Sequence, residues 1–215
     1  MTGIHRDLQG VTIAFDLDGT LVETAPDLIG TLNRMLGARD IPRMPVEAAQ
    51  NLVGHGALAL LRHGFQEAGA AWDEAAAPAL LQEFLDDYLE NIAVHSRPYD
   101  GVVECLERLA GRGAILCVAT NKRTDLSTAL IGALALERHF AVVCGPDAVS
   151  ARKPDGAHIR EAVQLAGGDP ARRNDRSERR RPDRPGRWAY SRSSPPRRVR
   201  PRSSPPARPA RRRRP

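Results

Sequence analysis

A short apolar, β-prone run, Val11-Thr-Ile-Ala-Phe15, ends in two carboxylates and a glycine, Asp16-Leu-Asp18-Gly19-Thr20. No other stretch constrains the chain as much. The run has the length and residue types of a buried strand, and Asp and Gly mark the turn that closes it. Asp16 and Asp18 stand two residues apart on a strand-to-turn segment, so both can face one pocket. One carboxylate can attack phosphorus as a nucleophile. The other can protonate a leaving oxygen and then take a proton from water. Adjacent carboxylates repel, and a divalent cation is expected to hold them ionised. The segment therefore points to metal-assisted phosphoryl transfer. An isolated Asp-x-Asp would read as a solvated turn; its place directly after an apolar strand argues against that.

The chain then turns helical. Pro26–Leu36 carries Leu28, Ile29, Leu32, Met35 and Leu36 on one face, and Gly37 is its expected stop. Further helices are expected over Val46–Leu52, Ala57–Ala68 and Glu74–Ala93; the last has Leu80, Leu81, Phe84, Leu85, Tyr88, Leu89 and Ile92 at helical spacing. Four helices with no strand between them read as a helical insertion. Beyond Gly101 the pattern alternates: helix Val102–Ala110, strand Ala114–Thr120, helix Thr124–Ala135, strand Ala141–Cys144, helix His158–Ala166. Strands alternating with helices predict an α/β fold, a Rossmann-like parallel sheet with helices on both faces. Ligands in such sheets bind beyond the strand ends.

Phe15-Asp-Leu-Asp-Gly-Thr-Leu-Val22 resembles the first motif of the haloacid-dehalogenase-like hydrolases. The resemblance extends to Thr120, at the end of the second strand in Val118-Ala-Thr-Asn-Lys122, and to Lys153-Pro154. It implies Asp16 as nucleophile and Asp18 as acid–base, with Mg2+ held by both. It further implies that Thr120, Asn121 and Lys153 cradle the phosphoryl oxygens. The insertion matches the family's helical cap. The implied organisation is a core of residues 1–20 and 97–171, a cap of 21–96, and a tail of 172–215. Dehalogenases of the superfamily lack the second Asp, so Asp18 implies phosphate chemistry. Leu52-Val-Gly-His-Gly-Ala57, Tyr99-Asp-Gly-Val and Thr120-Asn-Lys are similar to phosphoglycolate phosphatases. His55, flanked by glycines, reads as a turn residue rather than a substrate contact. The implied partner is a small phosphorylated substrate: 2-phosphoglycolate first, another small sugar phosphate or a nucleotide as the alternative.

The tail is different material. Of the chain's 32 Lys and Arg and 26 Asp and Glu, 18 Arg and 3 acids lie from Arg172 onward, giving that segment about +15 and the residues before it about −9. The segment has no Leu, Ile, Met, Phe or Lys, and is expected to be disordered. It stands where the family's fourth motif, an apolar strand ending in acidic metal ligands, is expected. Asp175, Glu178 and Asp183 are present, but no apolar strand leads to them. A one-base shift of reading frame accounts for the composition. Offset codons across Asn174–Trp188 permit a sequence close to that motif. Without the motif the chain is expected to be marginally folded, with the strand ending at Asp16 left as a sheet edge, and to have little activity. Polyarginine could also bind nucleic acid without reading sequence, with Trp188 and Tyr190 stacking on bases, yet no nucleic-acid-binding motif accompanies it.

Cys105, Cys117 and Cys144 show no Cys-x-x-Cys spacing and read as structural thiols in a reducing cytoplasm. No apolar stretch reaches the ~20 residues of a membrane span, and Met1–Gly10 has no apolar signal core.

Overall fold

A computed structural model describes residues 7–45 and 56–171. The helix expected over Val46–Leu52, His55 and the segment from Arg172 to Pro215 lie outside the described residues. In chain order the elements are β1 (Thr12–Phe15), β2 (Val22–Glu23), α1 (Ala25–Gly37), α2 (Ala57–Glu67), α3 (Ala77–Glu90), β3 (Arg97–Pro98) and α4 (Val102–Ala110). They continue with β4 (Ile115–Ala119), α5 (Thr124–Ala133), a 3-10 turn (Glu137–His139), β5 (Val142–Cys144) and α6 (Gly156–Leu165).

The fold is α/β, as the alternation predicts. β1, β4 and β5 form a parallel sheet in the order β1-β4-β5, with Thr12 opposite Ile115, Phe15 opposite Val118 and Ala119 opposite Cys144. Alternate side chains serve opposite faces. Ile13, Phe15, Leu116, Val118 and Val143 pack with Leu106 of α4 and with Leu130 and Ile131 of α5. Ala14, Ala119, Val142 and Cys144 pack with Ile159 and Ala162 of α6. That second face is built of small residues, so α6 lies close to the sheet. Asp155 caps α6, its carboxylate accepting from the Ala157 N–H at 2.8 Å.

A separate apolar cluster joins α1, α2 and α3: Leu28, Ile29, Leu32, Met35 and Leu36 meet Leu60, Leu61, Phe65, Phe84 and Tyr88. Its helices sit where the 3.6-residue spacing predicts, with ends shifted by up to three residues. Pro26 starts α1 and Pro78 starts α3, each where a missing N–H costs nothing. Gly64 lets α2 approach α1, since a Cβ there would stand 2.7 Å from a Leu32 methyl. Arg34 pairs with Asp87, and Arg39 with Glu83 at 2.5 Å, tying α1 to α3.

The strands β2 and β3 are a feature the sequence pattern does not announce. They pair antiparallel where the chain leaves the sheet and where it returns, with Arg97 2.7 Å from Glu23. Beside them the buried Asp27 carboxylate accepts from the His95 N–H (2.9 Å) and from the Ser96 N–H and hydroxyl (both 2.7 Å). This fastens the start of α1 to the chain entering β3. Among the described residues no helix is long and apolar enough to cross a membrane.

Candidate active site

The turn after β1 sets up the site. The Leu17 carbonyl accepts from the N–H groups of Thr20, Leu21 and Val22 (3.3, 3.0 and 3.1 Å), and the Gly19 N–H donates to the Val22 carbonyl at 2.8 Å. Gly19 has φ +73°, the left-handed region that suits glycine. This tight reversal buries Leu17 in the core and leaves the flanking residues, Asp16 and Asp18, beyond the strand end.

The parallel register brings the other elements alongside. Phe15 lies opposite Val118, so Asp16 and Thr120 emerge at the same end of the sheet. Lys153 arrives on the loop between β5 and α6, and its Nζ stands 2.6 Å from Asp16 Oδ1. The same Asp16 oxygen accepts from the Leu17 N–H at 2.8 Å. Thr120 is buried; its Oγ1 accepts from the Lys122 N–H at 3.1 Å and its own N–H donates to the Cys144 carbonyl at 3.0 Å. The Asn121 amide grips the Lys153 backbone: its Oδ1 accepts from the Lys153 N–H at 3.0 Å and its Nδ2 donates to the Lys153 carbonyl at 3.3 Å.

Two residues that the sequence does not single out complete the arrangement. Lys122, with a side chain only 6% exposed, places its Nζ 3.2 Å from Asp18 Oδ1 and 3.1 Å from the Tyr88 hydroxyl. The ammonium also lies 4.4 Å from the centroid of the Tyr88 ring. Burial opposes its charge, but Asp18 and Tyr88 outweigh burial and hold its pKa above the ordinary lysine value. Burial pushes the Tyr88 phenol up, so it stays protonated. In the sequence Lys122 stands out only as part of Thr120-Asn-Lys, and Tyr88 only as one of an apolar stripe. No sequence signal joins a helix-face tyrosine to a strand-end lysine 34 residues away.

The cation is tested by the acids themselves. Asp18 Oδ1 is within ion-pair distance of Lys122 but lacks hydrogen-bond geometry, so a buried carboxylate oxygen is left without a hydrogen-bond partner. Such an oxygen, with the Asp16 carboxylate beside it in the chain, is a donor of the kind hard divalent cations take. Among the described residues no group of three His, Cys, Asp or Glu could hold a metal. The donors fit magnesium in type, an ion held by one or two carboxylates with water and phosphate oxygens in the remaining positions.

The cysteine thiols are free; Cys117 and Cys144 are buried. Burial pushes Cys117 up to about 12, so it has no thiolate character near neutrality.

A carboxylate against a lysine, with a second carboxylate and a hydroxyl at the same sheet end of an α/β fold, is an arrangement suited to phosphoryl chemistry. Residues 13–172 match the haloacid dehalogenase-like hydrolase family, and the chain belongs to that family. It is 53% identical over 172 residues to the phosphoglycolate phosphatase of Caulobacter vibrioides, covering 80% of this chain and 72% of that one. To the phosphoglycolate phosphatase of Mesorhizobium japonicum it is 43% identical over 157 residues, covering 73% and 69%. A crystal structure described as a predicted phosphoglycolate phosphatase from Haemophilus somnus superposes with TM-score 0.66 at 27% identity, covering 74% of this chain and 72% of that one.

Proposed function

We propose that this chain is built to hydrolyse a small phosphomonoester, 2-phosphoglycolate first among them, through a phosphorylated Asp16. The observation that carries the reading is the Asp16–Lys153 contact of 2.6 Å at the carboxyl end of the sheet, beside Asp18 and Thr120. The names of the similar phosphatases support the substrate.

In this reading an Asp16 carboxylate oxygen attacks phosphorus, and the bond from phosphorus to the ester oxygen breaks. Asp18 gives its proton to the departing oxygen, yielding glycolate. Asp18 then takes a proton from water as that water attacks the phosphorus of the aspartyl phosphate. The Asp16 oxygen leaves and inorganic phosphate is released. Lys153 neutralises the phosphoryl oxygens, and the Thr120 hydroxyl, its oxygen already accepting from the Lys122 N–H, donates its proton to one of them. Asn121 acts by holding the backbone of Lys153 in reach. Asp16, joined by Asp18 in its ionised form, would hold Mg2+, which would supply positive charge against the phosphoryl group.

Residues 1–20 and 97–171 form the catalytic core in this account, and 21–96 the cap. The segment from Arg172 is the product of a shifted frame and supplies no fourth motif. The 215-residue chain therefore turns over slowly. It works in the cytoplasm, and any nucleic-acid binding by the arginine segment is non-specific. The test is phosphate release from 2-phosphoglycolate in magnesium buffer, measured beside a version with the frame restored from codon 174. Restoration should raise turnover at least tenfold. Equal turnover by the two would defeat the account of the segment, and no turnover by either would defeat the substrate.

A further inference from the structure

We infer that Arg152 is a specificity residue whose guanidinium pairs with a second anionic group on the substrate, so that the site prefers phosphomonoesters of organic acids over neutral ones. This rests on the phosphatase reading above and assigns a residue to the substrate's second charge.

A cavity of about 510 Å³ lies between the sheet end and the helical insertion, with Asp18 and Lys122 on its lining. Leu81, Phe84 and Leu85 make its far wall apolar. Three guanidinium groups also line it: those of Arg62, Arg123 and Arg152. Two are already neutralised. Arg62 stands 2.7 Å from Glu74 and 5.7 Å from the Trp72 ring centroid. Arg123 stands 2.6 Å from Asp125. Lys122 is likewise committed, between Asp18 and Tyr88. Arg152 is exposed at the cavity's border and has no carboxylate partner among the described residues, so its charge is left for a ligand.

Its placement matches a two-ended ligand. Arg152 immediately precedes Lys153, whose ammonium marks the phosphoryl end of the site at Asp16. The backbone here is fixed, the Asp155 N–H donating to the Arg152 carbonyl at 3.0 Å and Asn121 gripping Lys153. From that anchor the Arg152 guanidinium reaches across to the insertion: its Nη2 would stand 3.9 Å from a Cβ placed on Gly56. Lys153 thus marks the proposed phosphoryl end at Asp16, and the preceding residue, Arg152, lines the neighbouring cavity. A carboxylate on the substrate's organic body would meet a planar donor fork suited to it. A purely solvated surface arginine would give no such preference.

The test uses uncleavable ligands on the full chain in magnesium buffer. Calorimetric titration compares 3-phosphonopropionate, which carries a carboxylate, with propylphosphonate, which does not. The native chain should bind the acid about tenfold more tightly, the factor expected of one charge-assisted contact. Arg152→Ala should bring the ratio close to one, and Arg152→Lys should restore part of it. Arg62→Ala, which removes a paired guanidinium from the same lining, should keep the preference. A preference that survives Arg152→Ala, or none in the native chain, overturns the inference while leaving the phosphatase reading in place. Failure of both phosphonates and of inorganic phosphate to bind overturns the phosphatase reading and the inference with it.

Discussion

The strands β1 and β4 are similar in sequence and unlike in environment. Thr12-Ile-Ala-Phe15 is half-buried at all four positions, whereas Ile115-Leu-Cys-Val-Ala119 is buried from Leu116 onward. Pairing accounts for the contrast. β4 lies between two strands, and β1, among the described residues, has a partner on one side only. Position in the sheet, rather than apolar content, sets how much each strand gains from burial. The proposed nucleophile follows the less protected strand, while the threonine proposed to bind phosphate follows the more protected one. Under the proposed function a fourth-motif strand would pair with β1, and its loss would remove metal ligands and leave Asp16 beside an unpaired edge.

The largest effect should come from opening the buried strand. Leu116→Ala removes a side chain 2% exposed and should destabilise the chain by about 2–5 kcal/mol in urea unfolding. Ile13→Ala on β1 should cost about half as much, because half-buried methyls surrender less. Equal costs would show that β1 is covered as fully as β4, and the contrast would collapse.

A smaller effect should come from the link between α3 and the sheet end. Tyr88→Phe keeps the ring over Lys122 but removes the hydroxyl that accepts from its ammonium. A buried ammonium losing such a partner should cost about 1.5–3 kcal/mol of stability. No change would mean that Asp18 alone satisfies Lys122.

The smallest effect concerns pH and the helices away from the sheet. The Arg34 guanidinium holds Asp87 below the usual carboxylate range, and Arg39 does the same to Glu83. A depressed folded-state pKa stabilises above the unfolded pKa, and that stability is lost as pH falls through the folded one. Both pairs are partly exposed, so each should contribute at most about 1 kcal/mol. Arg34→Gln should flatten the loss of stability on acidification below the usual carboxylate range. An unaltered acid profile would show that these pairs are cosmetic.

Much of the fold is legible in the residue pattern. The strand ending at Asp16, the second at Thr120 and six helices among the described residues follow from apolar spacing that the structure reproduces. The two-residue strands β2 and β3 are too short to show any alternation. Their fastening by Asp27 depends on the backbone of His95 and Ser96, some 68 residues along the chain. Lys122 is hidden for another reason: a lysine reads as surface until its counter-charges, drawn from two distant segments, are in place. The resemblance implies Asn121 as a phosphate contact; its amide meets the Lys153 backbone, a contact no spacing rule encodes.

The central claim is that Asp16 becomes phosphorylated. Acid-quenched chain, mixed with 2-phosphoglycolate and magnesium, should yield a phosphorylated peptide containing residues 11–22, with the modification mapped by mass spectrometry to Asp16 and absent in Asp16→Asn. A phosphoryl group on any other residue, or magnesium-dependent phosphate release that persists undiminished in Asp16→Asn, would contradict it.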